Sequence, residues 1–141
     1  MSETKSTLER VQIFHETYGL PVEDKPTLSD PKTQELRINL LAEEVQELKE
    51  ALENNDLVEV LDALTDIQYV LDGAYLSFGL QDLKETAFAE VQRSNMSKLG
   101  EDGKPIRRES DGKVMKGPNY FAPDLKVLLD KHIKEKLEKA A

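Results

Sequence analysis

The chain has 141 residues, of which 38% are hydrophobic and 33% charged, with a net charge of −9 and no cysteine. Such a length suits one domain with its own core, here taken as residues 1–141. The missing thiols exclude disulfides, thiolate catalysis and cysteine-bound zinc, and the acidity argues against nucleic acid or an anionic membrane as main partner.

The first residues, MSETKSTLER, lack the basic-then-apolar pattern of a secretion signal, and acids interrupt every long apolar stretch. A soluble cytoplasmic protein is expected. A nucleotide stays compatible with the charge, because a metal ion can reverse the local sign.

Leu8, Val11, Phe14 and Tyr18 make residues 6–18 a short amphipathic helix that should end at Gly19, with Pro21 beyond. His15, within it, reads as a surface or packing residue. Residues 20–29 form a loop containing Pro21 and Pro26. Asp30-Pro31 then supplies an N-cap and a first-turn proline for a second helix running to about Glu53. At ~100° per residue, Leu40, Leu41, Leu48, Ala51 and Leu52 share one side. Glu44 falls in the middle of that apolar arc, Glu47 on its edge and Glu43 on its boundary. Burying an unpaired carboxylate is costly, and Lys49 points to the opposite side.

Residues 53–56 form a tight turn, so the second and third helices should pack as an antiparallel hairpin. The third, Leu57 to Phe78, is apolar on nearly every side, as expected for a helix in the middle of a bundle. Glu59, Asp62 and Asp66 nevertheless fall along one stripe of it, and the stretch contains no basic residue. A capping arrangement from Asp56, with the helix dipole, accounts for Glu59 and can extend to Asp62, but not to Asp66 or Glu44. Folding the hairpin is expected to bring Glu44 and Glu47 level with Glu59 and Asp62, giving four convergent carboxylates around a bound cation.

Asp82 is the expected cap of a fourth helix through about Lys98, with Leu83, Ala87, Phe88 and Val91 inward. Arg93, Asn95 and Lys98 near its end either complement the helix dipole or form a phosphate-binding edge. Residues 100–122 hold the basic cluster Lys104, Arg107, Arg108, Lys113 and Lys116, with Ser110-Asp111-Gly112 as the turn of a small hairpin near residues 103–117. Pro123 opens a last helix whose apolar stripe is Leu125, Leu128, Leu129, Ile133 and Leu137. His132 in that helix reads as structural or exposed.

Oxygen ligands without His or Cys suit Mg²⁺, or Mn²⁺ as an alternative, far better than zinc. Such a metal shares its coordination with phosphate oxygens and lowers the pKa of a bound water for in-line attack. Glu43 and Asp66, if not used fully as ligands, are candidates to take the water's proton. No P-loop, GxSxG, HExxH or EF-hand string is present.

The strings Glu43-Glu44-Val45-Gln46-Glu47 and Glu59-Val60-Leu61-Asp62 resemble the EExxE…ExxD signature of the all-α nucleoside triphosphate pyrophosphohydrolases. These include MazG-like enzymes, dimeric dUTPases and phosphoribosyl-ATP pyrophosphohydrolases. DALTDIQYVLDGAYLSFGL is similar to the family's third helix, and EVQRSNMSKLGEDGKP with GKVMKGPNYFAPDL to a phosphoribosyl-ATP pyrophosphohydrolase-like branch. The resemblance spans roughly residues 5–130. It implies an all-α antiparallel bundle with a hairpin-like insertion, acting as a homodimer or homotetramer. It also implies cleavage of a nucleoside triphosphate between the α and β phosphates, giving a monophosphate and pyrophosphate. The implied metal ligands are Glu44, Glu47, Glu59 and Asp62, and Asn95 and Lys98 match positions expected to meet the phosphates or ribose. Asp66 lies outside the short signature and is expected behind the ligands or at a second metal. The candidates overall are Glu43, Glu44 and Asp66 for catalysis, and Arg93, Asn95 and Lys98 for the substrate. Phosphoribosyl-ATP as substrate, and a non-catalytic helical module whose inward acids pair with a partner's basic groups, are the competing readings.

Overall fold

Ser6 opens the first helix by a reciprocal capping box with Glu9, and the left-handed Gly19 closes it. In the computed structural model, which describes residues 4–140, this helix is α1 (Thr7–Tyr18). It is followed by α2 (Pro31–Glu53) and α3 (Leu57–Ser77). Asp30 caps α2 by accepting from the Thr33 amide at 2.7 Å, and Asp56 caps α3 through the Glu59 amide at 3.1 Å. Between them Asn55 takes a left-handed φ of 53°, a conformation that Asn tolerates well. The chain therefore reverses within three residues, and α2 and α3 pack side by side.

The chain divides into two compact units, one ending at Asp82 and the other beginning at Leu83. In the first, α3 packs against both α1 and α2. Val11, Ala51, Ala63 and Leu76 form its small apolar core. The loop between α1 and α2 is fastened to the end of α3: the Glu23 amide donates to Leu76 O at 2.9 Å and the Thr27 amide to Phe78 O at 2.9 Å. Gly79 is needed there, because its φ is +65° and a Cβ would come within 1.9 Å of the Lys25 carbonyl oxygen.

The second unit contains α4 (Lys84–Met96), the strands β1 (Ile106–Arg107) and β2 (Val114–Met115), and α5 (Leu125–Ala140). The strands pair antiparallel, Ile106 opposite Met115 and Arg107 opposite Val114. Two side chains tie α4 to the segment that leads into α5. Ser94 Oγ donates to Phe121 O at 2.8 Å, and Glu90 accepts from the Asp124 amide.

The all-α class, with one small hairpin, is as expected from the sequence. Three local expectations are corrected. Asp82 does not cap the fourth helix; it lies in a 3₁₀ turn, Gln81–Leu83, and α4 starts at Lys84 without a side-chain cap. Phe88, expected inward, is exposed. And α3 is not covered on every side by α1 and α2: Leu57, Val58 and Leu61 are 80%, 75% and 67% exposed. Two neighbouring helices leave the remainder of its circumference open.

Candidate metal centre

The register of the hairpin sets which acids meet. Asn55, at the turn, lies eleven residues after Glu44 and eleven before Asp66. Helices of equal rise therefore place those two opposite each other. The same register puts Arg37 opposite Gly73, where a Cβ on the glycine would come within 2.6 Å of the Arg37 guanidinium. Carboxylate oxygens of Glu44, Glu47 and Asp66 lie within 4.8 Å of one another.

Glu44 and Asp66 are half-buried and Glu47 is exposed. Glu44 Oε2 is shut off from solvent and has no hydrogen-bond partner among the described residues. Burial first, then a hydrogen bond with Glu47, then the charges of Asp66, Glu47 and Asp62 push the Glu44 carboxyl up from 4.5 to about 7. Asp66 is raised as well, by burial and then by Asp62 and Glu47. No lysine or arginine makes an ion pair with any of these acids among the described residues. Crowded carboxylates without a cation either keep protons or bind a metal. The orphaned oxygen and the all-oxygen donor set fit a hard divalent ion.

Of the expected site residues, the structure thus brings together Glu44, Glu47 and Asp66. Asp62 is near enough to act on Glu44 and Asp66 through its charge, but its oxygens are not part of the close group. Glu59 stands two turns before Asp66, about 10 Å along α3, with its backbone engaged by Asp56. Glu43 is exposed and lies outside the close group.

In the other unit, Arg93 is held by both oxygens of Glu90, at 2.8 and 3.0 Å, and lies 4.3 Å from the centre of the Phe121 ring. Asn95 and Lys98 line a cavity at the end of α4.

Two buried residues were not singled out for the site by their spacing. His15 is 2% exposed, with Nδ1 at 2.9 Å from Pro21 O. Because a carbonyl only accepts, that nitrogen carries the proton. Burial, and then the Arg37 charge, lower the His15 pKa against the effect of the Pro21 bond, which favours the neutral ring. Arg37 is 5% exposed, and its Nε has no hydrogen-bond partner among the described residues. Its place seven residues before Glu44, on the same stripe of α2, was the available signal.

Residues 11–95 match the family profile of phosphoribosyl-ATP pyrophosphohydrolase. An uncharacterised protein of Acanthamoeba polyphaga mimivirus is 31% identical over 134 residues, which is 92% of this chain and 50% of that protein. The chain thus spans about half the length of the curated relative it matches. A crystal structure from Exiguobacterium sp. 255-15, of a protein proposed to be an NTP pyrophosphohydrolase, is similar at 29% identity and a TM-score of 0.48, covering 99% of this chain and all of that one. The profile match takes in α2, α3 and every acid of the cluster, and on it the chain belongs to the phosphoribosyl-ATP pyrophosphohydrolase family.

Proposed function

We propose that this protein is a divalent-metal-dependent pyrophosphohydrolase that cleaves a nucleoside triphosphate between the α and β phosphates, releasing a monophosphate and pyrophosphate. The observation that carries the reading is the close group of Glu44, Glu47 and Asp66, with a buried Glu44 oxygen that nothing in the described chain satisfies. A purely structural cluster of acids would be expected to have basic partners, or to turn to solvent. Family membership supports the same chemistry.

Glu44, Glu47 and Asp66 would hold Mg²⁺ or Mn²⁺, with Asp62, and Glu59 after side-chain rearrangement, as further ligands. When bound, such an ion neutralises phosphate charge and acidifies a coordinated water. The chain's own part is to fix the acids on two rigid helices and to keep a proton acceptor beside the ion. Glu43, which lies outside the close group, is one candidate; the Asp66 oxygen not given to the ion is the other, its proton affinity raised by burial and neighbouring charges in the metal-free protein.

Phosphoribosyl-ATP is the alternative substrate, favoured by the family profile itself. The exposed Leu57, Val58 and Leu61 favour a further proposal, that a second copy covers α3 in a homodimer or homotetramer.

The test is incubation with a panel of (d)NTPs and with phosphoribosyl-ATP, in Mg²⁺ or Mn²⁺, following products by ³¹P NMR. Pyrophosphate from wild type and none from Glu44→Gln supports the reading. No turnover of any substrate, with metal affinity equal in wild type and Glu44→Gln, would instead support a non-catalytic helical module.

A further inference from the structure

The hairpin is firmly fixed to the end of α4. A Cβ at Gly117 would lie 2.1 Å from Leu99 O, so the two backbones are in direct contact. The turn between them is closed by Gly100 N donating to Lys104 O at 2.8 Å. Between the hairpin and the helix end is a cavity of about 510 Å³, within the usual size for a small-molecule site. Met96, Leu99, Pro105 and Val114 give it apolar walls, and Asn95, Lys98 and Lys113 give it polar groups.

The cations of this region are not equivalent. Arg108 is spent on Asp111, Arg93 on Glu90, and Lys116 lies over the Tyr120 ring at 4.7 Å. Lys98 and Lys113 both line the cavity and make no ion pair among the described residues. Two unspent ammonium groups beside apolar walls match a ligand with several negative charges at one end and a flat, largely apolar body. In a chain of net charge −9, residues 95–121 carry six Lys or Arg against four Asp or Glu. The segment is thus locally positive, which favours an anion there.

We propose that the hairpin is a nucleotide-recognition element, with Lys113 as a binding residue that acts with Lys98 on the phosphates of a nucleoside polyphosphate while Met96 and Val114 contact its sugar or base. The proposal rests on the pyrophosphohydrolase reading for the ligand's identity, but not on turnover.

The test uses the full chain, labelled with ¹³C at methionine methyls, in EDTA so that no metal-dependent hydrolysis occurs. The probes are the four nucleoside diphosphates. At least one should shift the Met96 resonance saturably. Lys113→Met should weaken that binding at least about tenfold, and Lys113→Arg should retain it within about threefold, as expected for loss or retention of a charged contact. If no diphosphate moves Met96, or if Lys113→Met binds like wild type, the proposal is overturned. Absence of turnover in Mg²⁺ or Mn²⁺ would overturn only the catalytic reading.

Discussion

Replacing Glu44 by Gln should stabilise the metal-free protein at alkaline pH while removing its response to metal. The carboxyl stands at 4.5 when unfolded and at about 7 when folded. Its folded form binds the proton more tightly, so the associated stability is full below about pH 4.5 and is lost as pH rises through about 7. The difference corresponds to ~3.4 kcal/mol at most. Because Glu44 is only half-buried, solvent screening reduces this to about 1–2 kcal/mol. Glutamine keeps the shape and carries no charge. In EDTA at pH 8, Glu44→Gln should therefore melt roughly 2–8 °C above wild type, and the gap should close toward pH 4.5. Millimolar Mg²⁺ or Mn²⁺ should raise the wild-type melting temperature and leave the variant's nearly unchanged. Circular dichroism melts at the two pH values, with and without metal, give the full set. Equal melting of both proteins at pH 8 in EDTA, or an equal metal response, would refute the electrostatic argument.

Other expectations follow from individual contacts. Gly79→Ala forces a Cβ into the Lys25 carbonyl at a left-handed φ. It should cost at least about 2 kcal/mol, read as a lower urea midpoint at constant slope. Ser94→Ala removes the bond from the buried Ser94 hydroxyl to Phe121 O, for a loss of about 0.5–1.5 kcal/mol. An unaltered midpoint would mean that the bond contributes nothing. In Mn²⁺ titrations, Glu47→Gln and Asp66→Asn should each weaken binding by about tenfold or more, against a smaller effect for Glu59→Gln. Equal losses at Glu59 and Asp66 would show that the acids rearrange on binding.

Much of the helical framework was legible because its signals are local. Asp30-Pro31, Asp56 and Gly19 act where their chemistry says they should. The inward position of Glu44 was legible from a single helical period. The partner of Glu44 across the hairpin was harder to read, because it depends on where the chain reverses. Counting from Asn55 pairs Glu44 with Asp66; a coarser count in helical turns from the connection puts it level with Glu59 and Asp62. Asp82 misled for a related reason. A good capping residue has no helix to cap when the chain first makes a 3₁₀ turn. Lys113 and Lys98 meet around one cavity only through the backbone contact of Gly117 with Leu99. That contact is not encoded by any short spacing. Nor does a single sequence show that α3, apolar on nearly every side, is left partly exposed by α1 and α2.

The central claim is that Glu44, Glu47 and Asp66 form the seat of a divalent ion. Anomalous scattering from crystals soaked in Mn²⁺ tests it most directly. The account predicts a peak among these three side chains, at about 2.0–2.3 Å from oxygens of Glu44 and Glu47. It also predicts loss of that peak in Glu44→Gln. Manganese bound elsewhere, with this group left empty while the protein still hydrolyses a triphosphate, would contradict it.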